Sequence, residues 1–329
     1  MSTKSWKDVL LGSGLPLEHD VKKYLETRGC IANFEYSYLK RDEQRIEKQF
    51  SYDVDAAYIH PPHFVNLVVE CKYRHETVRW VFTPDQYGGP DEVYPNAFLH
   101  PLDHFVGLSF PFSDTFPRQL APCCSKGVEL TKDGSNDKAI TQALLQLAYG
   151  LAPQVVDAIE HQIFRYLTED FIFFHVPIIV TTATLFRLRD DVTLGAIRGA
   201  CRIEDVGTEL DCLVLKCKPG IDLRQYNLQA FHTLGADLGE KLASSLNTFT
   251  KDPEHLFSVL ADRYPSTAVV ISVANGFQAF DRFFRYVDAV LKPPEDLLSE
   301  IRAQYAKSRE IAERLGSLRK SSAQGTDPR

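Results

Sequence analysis

The sequence lacks the features that mark membrane-spanning, secreted and zinc-bound proteins. No window approaches eighteen uninterrupted apolar residues, and the beginning, MSTKSWKDVL, lacks the apolar core and small-residue cleavage site of a signal peptide. The seven cysteines are odd in number and scattered, and no Cys/His group has the paired short spacings of a zinc site. We therefore expect a cytoplasmic protein with reduced thiols and without a membrane partner.

The chain also lacks an excess of positive charge. The 37 Lys and Arg residues are outnumbered by 44 Asp and Glu residues, and the formal net charge is -7. This balance argues against a protein whose surface is positively charged throughout, although a small basic groove inside an acidic protein can still bind nucleic acid. The 329 residues are 44% hydrophobic, which is enough for the core of one large or two medium domains.

The order of the periodic segments predicts a mixed α/β fold. A helix begins near Pro16 and ends near Gly29, and three strand-like runs follow it. A second helix begins in DKAITQALLQLAYGL, and Pro153 is expected to break or restart it. Because helices and strands alternate, we expect helices packed on a central sheet. The strand-like runs are residues 30–38, 50–59, 64–73, 176–188, 211–218 and 267–277.

A long segment interrupts this pattern and shapes the predicted domain organisation. Residues 75–138 are dominated by Gly, Pro and aromatic residues, which favours an ordered insertion over a solvated linker. We expect a core of residues 1–182 that carries this insertion. Residues 183–329 are then a C-terminal α/β elaboration for substrate recognition or dimerisation, with an amphipathic helix from Pro293 and a polar tail.

One strand-like run carries two charges among apolar neighbours. In VNLVVECKYR, Glu70 and Lys72 are two positions apart and therefore share a face of the strand. The simplest interpretation is an exposed charged pair on an edge strand. The run of Leu67, Val68 and Val69 before them argues instead that both faces are buried.

The register of the neighbouring strand determines whether other acidic side chains lie beside Glu70 and Lys72. If the HPPH turn pairs Ile59 with Phe64, Asp53 lies opposite Glu70 and Asp55 becomes a diagonal neighbour of Glu70 on the same face. A slip of one residue would separate the groups. Clustered, partly buried carboxylates are costly without a cation, and Mg²⁺ accepts one or two carboxylates together with water and phosphate.

These residues carry a family resemblance. YDVDAAYI followed by LVVECKYR, after a helix with an inward Glu18, resembles the PD-(D/E)XK restriction-endonuclease-like nuclease superfamily. The resemblance implies a restriction-endonuclease-like core, a central mixed β-sheet flanked by helices. It also implies that Asp55 and Glu70 hold the metal, that the Cys71 carbonyl adds a ligand and that Lys72 serves the nucleophile.

Other residues enter only as accessory candidates. The resemblance suggests Gln142 and Gln146, because glutamines on the helix after the motif recur in some branches of the family. Asp53 stands where related sequences often carry glutamate. It is an accessory candidate for the site, and an equal interpretation is that it only balances local charge. The resemblance also implies a catalytic role for Glu18, as the helical glutamate that some members of the family add, and a solvated helical acid is an equal interpretation of this residue. Ordinary polar positions remain the alternative for the two glutamines.

The function implied by the resemblance is a Mg²⁺-dependent endonuclease, with Mn²⁺ as a substitute. DNA is the expected substrate before RNA, in restriction or antiviral defence, and a homodimer or an activating partner protein fits the same expectation. One alternative is a catalytically silent nuclease-like fold that acts as a nucleic-acid-binding or assembly subunit. Another is an unrelated α/β interaction protein in which the motif arose by chance.

Overall fold

The computed structural model describes residues 5–41, 47–89, 93–108, 116, 118–165, 170–246, 252–300 and 303. The helices are α1 Trp6–Gly12, α2 Leu15–Thr27, α3 Lys138–Phe164, α4 Leu194–Gly199, α5 Ile221–Leu238, α6 Glu240–Ser245, α7 Pro253–Arg263 and α8 Gln278–Leu291. The strands are β1 Ile31–Arg41, β2 Glu47–His60, β3 His63–Lys72, β4 Arg79–Pro84, β5 Pro101–Leu102, β6 Cys123–Thr131, β7 Gly134–Asn136, β8 Ile172–Thr181, β9 Thr184–Leu188, β10 Gly207–Leu210, β11 Cys212–Lys216 and β12 Thr267–Ser272.

The α/β class predicted from the sequence is confirmed, because helices flank one large mixed sheet. The described strands form a 12-stranded sheet, with β1 and β10 at its ends. The order along it is β1, β2, β3, β8, β12, β11, β6, β4, β9 and β10, while β5 pairs with β8 and β7 with β6. Antiparallel pairing joins β1 to β2 and β2 to β3, and β8 runs parallel to β3.

Strands from distant parts of the chain alternate along this sheet. The insertion of residues 75–138 contributes β4 to β7, and residues after 183 contribute β9 to β12. Since β12 and β11 lie between β8 and β6, strands β4 and β6 of the insertion join the core strands through the C-terminal strands, whereas β5 pairs directly with β8. The ranges 1–182 and 183–329 therefore share one sheet.

The predicted first helix corresponds to α2. It begins after Gly14, which has a φ of 85°, and a proline lies in its first turn. Leu17, Val21 and Leu25 recur at helical spacing and are buried against the sheet. Gly29 follows the helix with a φ of 82°, which suits a glycine past a helix end.

Two apolar layers cover the two faces of the sheet around β2 and β3. One layer combines α2 and α8 with the side chains of Val54, Val69 and Cys71. The other combines α3 with Tyr52 and Val68. Charged residues at the point where the pairing of β2 with β3 ends are consequently positioned between helices on both faces of the sheet.

Helix α3 corrects the expectation that Pro153 would break or restart the helix. The helix runs through Pro153 without interruption. A proline removes one backbone hydrogen bond and strains a helix interior. Buried side chains on both sides of it, including Leu151 and Val155, hold the helix against the sheet, so tertiary packing prevails over local propensity.

One strand prediction needs adjustment, and one helix prediction lies mostly outside the described residues. The strand-like run 176–188 is split between β8 and β9, with a turn at residues 182–183. Most of the expected C-terminal amphipathic helix and the polar tail, residues 301, 302 and 304–329, lie outside the described residues. Within the described part, none of the helices is both long and apolar enough to cross a membrane.

Candidate active site at the end of β2 and β3

The register predicted for β2 and β3 is confirmed. Ile59 pairs with Phe64, and the paired residues continue as far as Val54 and Val69. Asp53 and Glu70 come next in this register. The end of the paired region is therefore the place where these two carboxylates meet.

Glu70 is the most deeply buried acid of the site. Its side chain is 1% exposed, and its Oε1 accepts a hydrogen bond from Lys72 Nζ. Among the described residues, Glu70 Oε2 is buried without a hydrogen-bond partner. Burial raises the pKa of Glu70 to about 8, with further increases from the charges of Asp53 and Glu18 and an opposing effect of Lys72. Such a carboxylate is costly to ionise unless a cation joins it.

Asp53 lies beside Glu70 and is anchored by the backbone of β3. Its Oδ2 accepts a 2.7 Å hydrogen bond from the backbone N–H of Cys71. Burial raises the pKa of Asp53, the Cys71 hydrogen bond and Lys72 lower it, and the charge of Glu35 raises it. The contact shown at Cys71 thus uses its N–H, whereas the resemblance had assigned a role to its carbonyl.

Asp55 is directed to a different set of partners, which corrects its expected pairing with Glu70. Its Oδ1 accepts hydrogen bonds from Tyr52 Oη at 2.7 Å and from Gln154 Nε2 at 3.2 Å. Gln154 also donates to Tyr52 Oη at 3.0 Å, which closes a three-membered network. The acids that shift the pKa of Glu70 are Asp53 and Glu18. Asp53, and not Asp55, is therefore the aspartate whose charge acts on Glu70 in this structure.

A break in the side-chain alternation along β2 explains why Asp53, and not Asp55, lies beside Glu70. Tyr52 and Val54 are two positions apart and should share a face, yet Tyr52 packs in the layer with α3 and Val54 in the layer with α2. Opposite the intervening Asp53, β1 places Glu35 with a φ of 55°, a conformation that few non-glycine residues adopt. The irregularity separates Asp53 from Asp55, although simple alternation would place them together.

Lys72 is held in place by the long helix α3. Its Nζ donates to Gln146 Oε1 at 3.2 Å as well as to Glu70. Gln146 Nε2 donates in turn to the carbonyl of Ser51 at 3.1 Å. Gln146 therefore lies at the site as the resemblance implied, whereas Gln142 is exposed one turn earlier and makes none of the described contacts there.

Glu18 approaches the same cluster from α2. It is half-buried, and its Oε1 lies 3.1 Å from the position that a Cβ on Gly14 would occupy. Burial raises the pKa of Glu18, Asp53 and Glu35 raise it further, and Lys72 lowers it. The structure therefore brings Glu18, Asp53, Glu70 and Lys72 into one electrostatic unit.

The donor set fits a hard divalent cation that keeps most of its water. Among the described residues, none form a group of three or more His, Cys, Asp or Glu side chains arranged to hold a metal ion. Mg²⁺ needs only one or two carboxylates when water and substrate phosphate complete its octahedral shell. Glu70, with its unpartnered buried oxygen, and Asp53 beside it meet that requirement.

Sequence reasoning did not single out Glu35, Tyr52 or Gln154. Gln154 had a recognisable signal, because it lies eight positions after Gln146 and therefore on a similar face of the same helix. The sequence contains no corresponding signal for Tyr52 or Glu35, because their roles depend on contacts between different strands.

Two other motifs have structural roles. The segment ELDCLVLKCK, residues 209–218, contains the end of β10 and all of β11. In it, Lys216 Nζ pairs with Asp85 at 2.9 Å and Asp211 accepts two hydrogen bonds from Arg282. Burial raises the pKa of Cys123 to about 11 and that of Cys124 to about 12, so neither is a thiolate at neutral pH.

Comparisons with known proteins leave the family open. The sequence matches no protein-family model and no curated protein, and the structure matches no solved structure.

Proposed function

We propose that this protein is a nuclease that hydrolyses phosphodiester bonds with the help of a divalent cation. The observation that carries the proposal is the buried Glu70, which has an unpartnered Oε2, contacts Lys72 through Oε1 and lies beside Asp53. Two carboxylates and an ammonium group converge where a strand pair opens. This combination supports cation binding next to a group that can orient a nucleophile.

The arrangement of elements supports a restriction-endonuclease-like core. Helix α2 is followed by the antiparallel strands β1 to β3, then by α3 and by β8 parallel to β3. We infer that residues 15–181 form this core, with the insertion of residues 75–138 placed before α3. The expected preference for DNA, and the role in restriction or antiviral defence, rest on the family resemblance alone.

In the proposed mechanism, Asp53 and Glu70 would hold Mg²⁺ or Mn²⁺. When bound, the ion lowers the pKa of a coordinated water and stabilises the charge that develops on the phosphate oxygens. Lys72 orients the attacking water or a phosphate oxygen through Nζ. Gln146 positions that ammonium group, and the layers of α2 and α3 exclude bulk water and so strengthen these charge interactions.

A specific contact also favours the alternative of a silent, nucleic-acid-binding scaffold. Lys72 donates directly to Glu70, and a protein that never loads a cation could keep this ion pair permanently. The two functions differ in a simple respect. In a nuclease, a cation at Glu70 must replace the contact with Lys72, whereas a silent scaffold binds nucleic acid without a cation.

Cleavage of supercoiled plasmid tests the proposal. Wild type, Glu70→Gln and Lys72→Met are incubated with Mg²⁺, Mn²⁺ or EDTA, and linear, single-stranded DNA and RNA substrates are included. We expect metal-dependent cutting by the wild type and loss of cutting in both variants. Lys216→Met is the matched control, because Lys216 is a similarly buried lysine paired with Asp85 away from the site.

Cation binding is measured on the same proteins by the shift in melting temperature with Mn²⁺. Wild-type protein that neither cuts any substrate nor shifts with Mn²⁺ would contradict the proposal. Nucleic-acid binding that persists in EDTA under those conditions would identify the silent scaffold.

A further inference from the structure

A large cavity lies between the paired strands β1 and β2, helix α3 and helix α5. Its volume is about 1350 Å³. A site for one small ligand usually measures about 300–1,000 Å³, so this cavity has room for a ligand of several units. Helix α3 joins the cavity to the candidate active site, because Leu145 and Tyr149 line the cavity while Gln146 contacts Lys72.

Aromatic rings from two different elements line this cavity. Phe50 of β2 and Tyr226 of α5 are both partly exposed there. Tyr226 is fixed in two ways: its ring packs edge to face on Tyr149, with 5.0 Å between the ring centroids, and its Oη donates to the carbonyl of Leu39 at 3.1 Å. Rings fixed at a cavity wall offer stacking surfaces for planar groups such as nucleobases.

Lys40 brings an ammonium group to the same cavity. Its Nζ lies 3.5 Å from the centroid of the Tyr149 ring and 5.7 Å from that of the Phe50 ring. The side chain is half-buried, and within the described part of the chain it contacts rings and forms no ion pair with a carboxylate. Burial lowers the pKa of Lys40, and the charge of Asp222 raises it. An anion that enters the cavity would stabilise this partly desolvated ammonium group.

The charges around the cavity are mixed, with three lysines against two aspartates. Lys40, Lys48 and Lys218 line it together with Asp157 and Asp222. The lysines belong to β1, to β2 and to the segment before α5, so the positive charge is spread along the cavity. Since the whole chain carries a net charge of -7, this cavity departs from the average of the protein. Spread positive charge suits a ligand with several separated phosphates.

We propose that this cavity binds a single strand of nucleic acid, with bases against Phe50 and Tyr226 and phosphates near Lys40 and Lys218. Unpaired bases expose their faces and can reach rings inside a cavity, whereas the bases of a duplex stay stacked on one another. The proposal requires no cation. It goes beyond the proposed function, because a nuclease and a silent scaffold would use the same cavity.

The test is fluorescence polarisation in EDTA, so that neither cleavage nor cation binding contributes. The probes are labelled single-stranded DNA and RNA of about 20 nucleotides, which is longer than one such site, and the matching duplex. We expect saturable binding of single strands, at least about tenfold tighter than binding of the duplex. Thymidine monophosphate and ATP serve as competitors that carry a base and phosphate without a strand.

Variants of Lys40 test the phosphate contact. Lys40→Met should weaken binding and reduce the slope of log K against log salt concentration by about 0.7, the value for one phosphate contact on a single strand. Lys40→Arg keeps the charge above the rings and should bind like wild type. Lys126→Met is the matched control, because Lys126 is an exposed lysine of β6 that does not line the cavity.

Variants of the walls test the base contacts. Tyr226→Ala should weaken binding by about 5- to 150-fold, the range for loss of one base–aromatic stack, whereas Tyr226→Phe keeps the ring and the affinity. Leu145→Glu places a negative charge on the cavity wall at a side chain that is 44% exposed, so binding should fall while the melting temperature stays unchanged. Leu194→Glu is its control, at a side chain of α4 that is 65% exposed and outside the cavity.

The outcomes separate this proposal from that of the nuclease. Single-strand binding that falls in Lys40→Met and Leu145→Glu but not in their controls supports it, whether or not the protein cuts nucleic acid. Wild type that binds neither single strand, or that binds duplex equally well, overturns it and leaves the cation proposal standing. Equal binding by wild type, Lys40→Met and Leu145→Glu overturns it as well. Binding of ATP or thymidine monophosphate without binding of strands also overturns it, and indicates a site for single nucleotides.

Discussion

Asp53 lies one residue beyond the last paired residue of β2, and it accepts a hydrogen bond from the backbone N–H of Cys71, two residues beyond the last paired residue of β3. The carboxylate thereby replaces a backbone acceptor at the point where the two strands part. This contact fixes Asp53 next to Glu70, while Asp55, two residues later, is held by Tyr52 and Gln154. The two aspartates of YDVDAAYI thus have separable roles.

Substitution of each aspartate by asparagine separates those roles. Asp53→Asn keeps an oxygen that accepts from Cys71 but loses the charge, so we expect a folded protein with Mn²⁺ affinity reduced at least about tenfold and cutting abolished. Asp55→Asn keeps an acceptor for Tyr52 and Gln154, and we expect Mn²⁺ affinity within about twofold and a stability loss below about 1 kcal/mol. Calorimetric Mn²⁺ titration and urea unfolding measure both. The reverse pattern would restore Asp55 to the metal site.

The raised pKa of Glu70 predicts how the stability of the metal-free protein depends on pH. Since its pKa rises from an ordinary 4.5 to about 8 on folding, the folded state favours the protonated acid. The stabilisation is complete below pH 4.5, decreases as pH rises and is lost above pH 8. The slope from this group is at most about 1.4 kcal/mol per pH unit.

Thermal unfolding in EDTA between pH 5 and 9 measures this dependence, and Glu70→Gln should flatten it, because glutamine stays neutral throughout. With Mg²⁺ present the trend should reverse, because the cation requires the ionised carboxylate and its binding releases a proton. Identical pH slopes for the wild type and Glu70→Gln in EDTA would contradict the assignment.

Gln146 is expected to act on catalysis through Lys72. Gln146→Ala removes the acceptor that holds Lys72 Nζ, so we expect the cleavage rate to fall by about 10- to 100-fold, while Mn²⁺ affinity stays within about twofold. Gln142→Ala is the matched control on the exposed part of the same helix. Single-turnover cleavage and Mn²⁺ titration make the comparison, and equal rates for the two variants would argue against a positioning role.

Gly150 of α3 packs closely against Tyr52, the tyrosine of the Asp55 network. An added Cβ would lie 2.8 Å from Tyr52 Cδ1 and 3.3 Å from Tyr38 Cε1. Tyr52 is fully buried and cannot move aside, so Gly150→Ala should lower the free energy of unfolding by roughly 1–3 kcal/mol.

Gly199→Ala, in α4, is the control for this substitution, because within the described structure a Cβ there meets nothing within 4 Å. We expect its stability to change by less than about 0.5 kcal/mol. Urea unfolding of the two variants measures the difference, and a neutral Gly150→Ala would show that α3 can shift away from the sheet.

The sequence predicted those parts of the site that depend on local pattern. Strand periodicity and the turn after His60 were sufficient for the register of β2 and β3, since both strands are adjacent in the chain. Glu70 and Lys72 followed from the same alternation. The choice between Asp53 and Asp55 could not be made this way, because the break in alternation involves Glu35 on another strand.

Other differences also arise from contacts between distant residues. The continuity of α3 through Pro153 depends on buried side chains that pack against the sheet, which local propensity does not include. The positions of β4 and β6 depend on their pairing with β9 and β11, which follow much later in the chain. A periodic signal within the insertion could not have indicated those partners.

The alternating origin of the strands constrains how the chain folds during synthesis. Strands β1, β2, β3 and β8 are adjacent in the sheet and are complete once residue 181 has been made, so the candidate site can assemble early. Strand β6 has also been made by then, but β11 and β12, which join it to β8, follow only at residues 212–216 and 267–272. Until the last strand emerges, most of the β8 edge that later pairs with β12 is therefore unpaired in the nascent chain, and an unpaired strand edge can template aggregation.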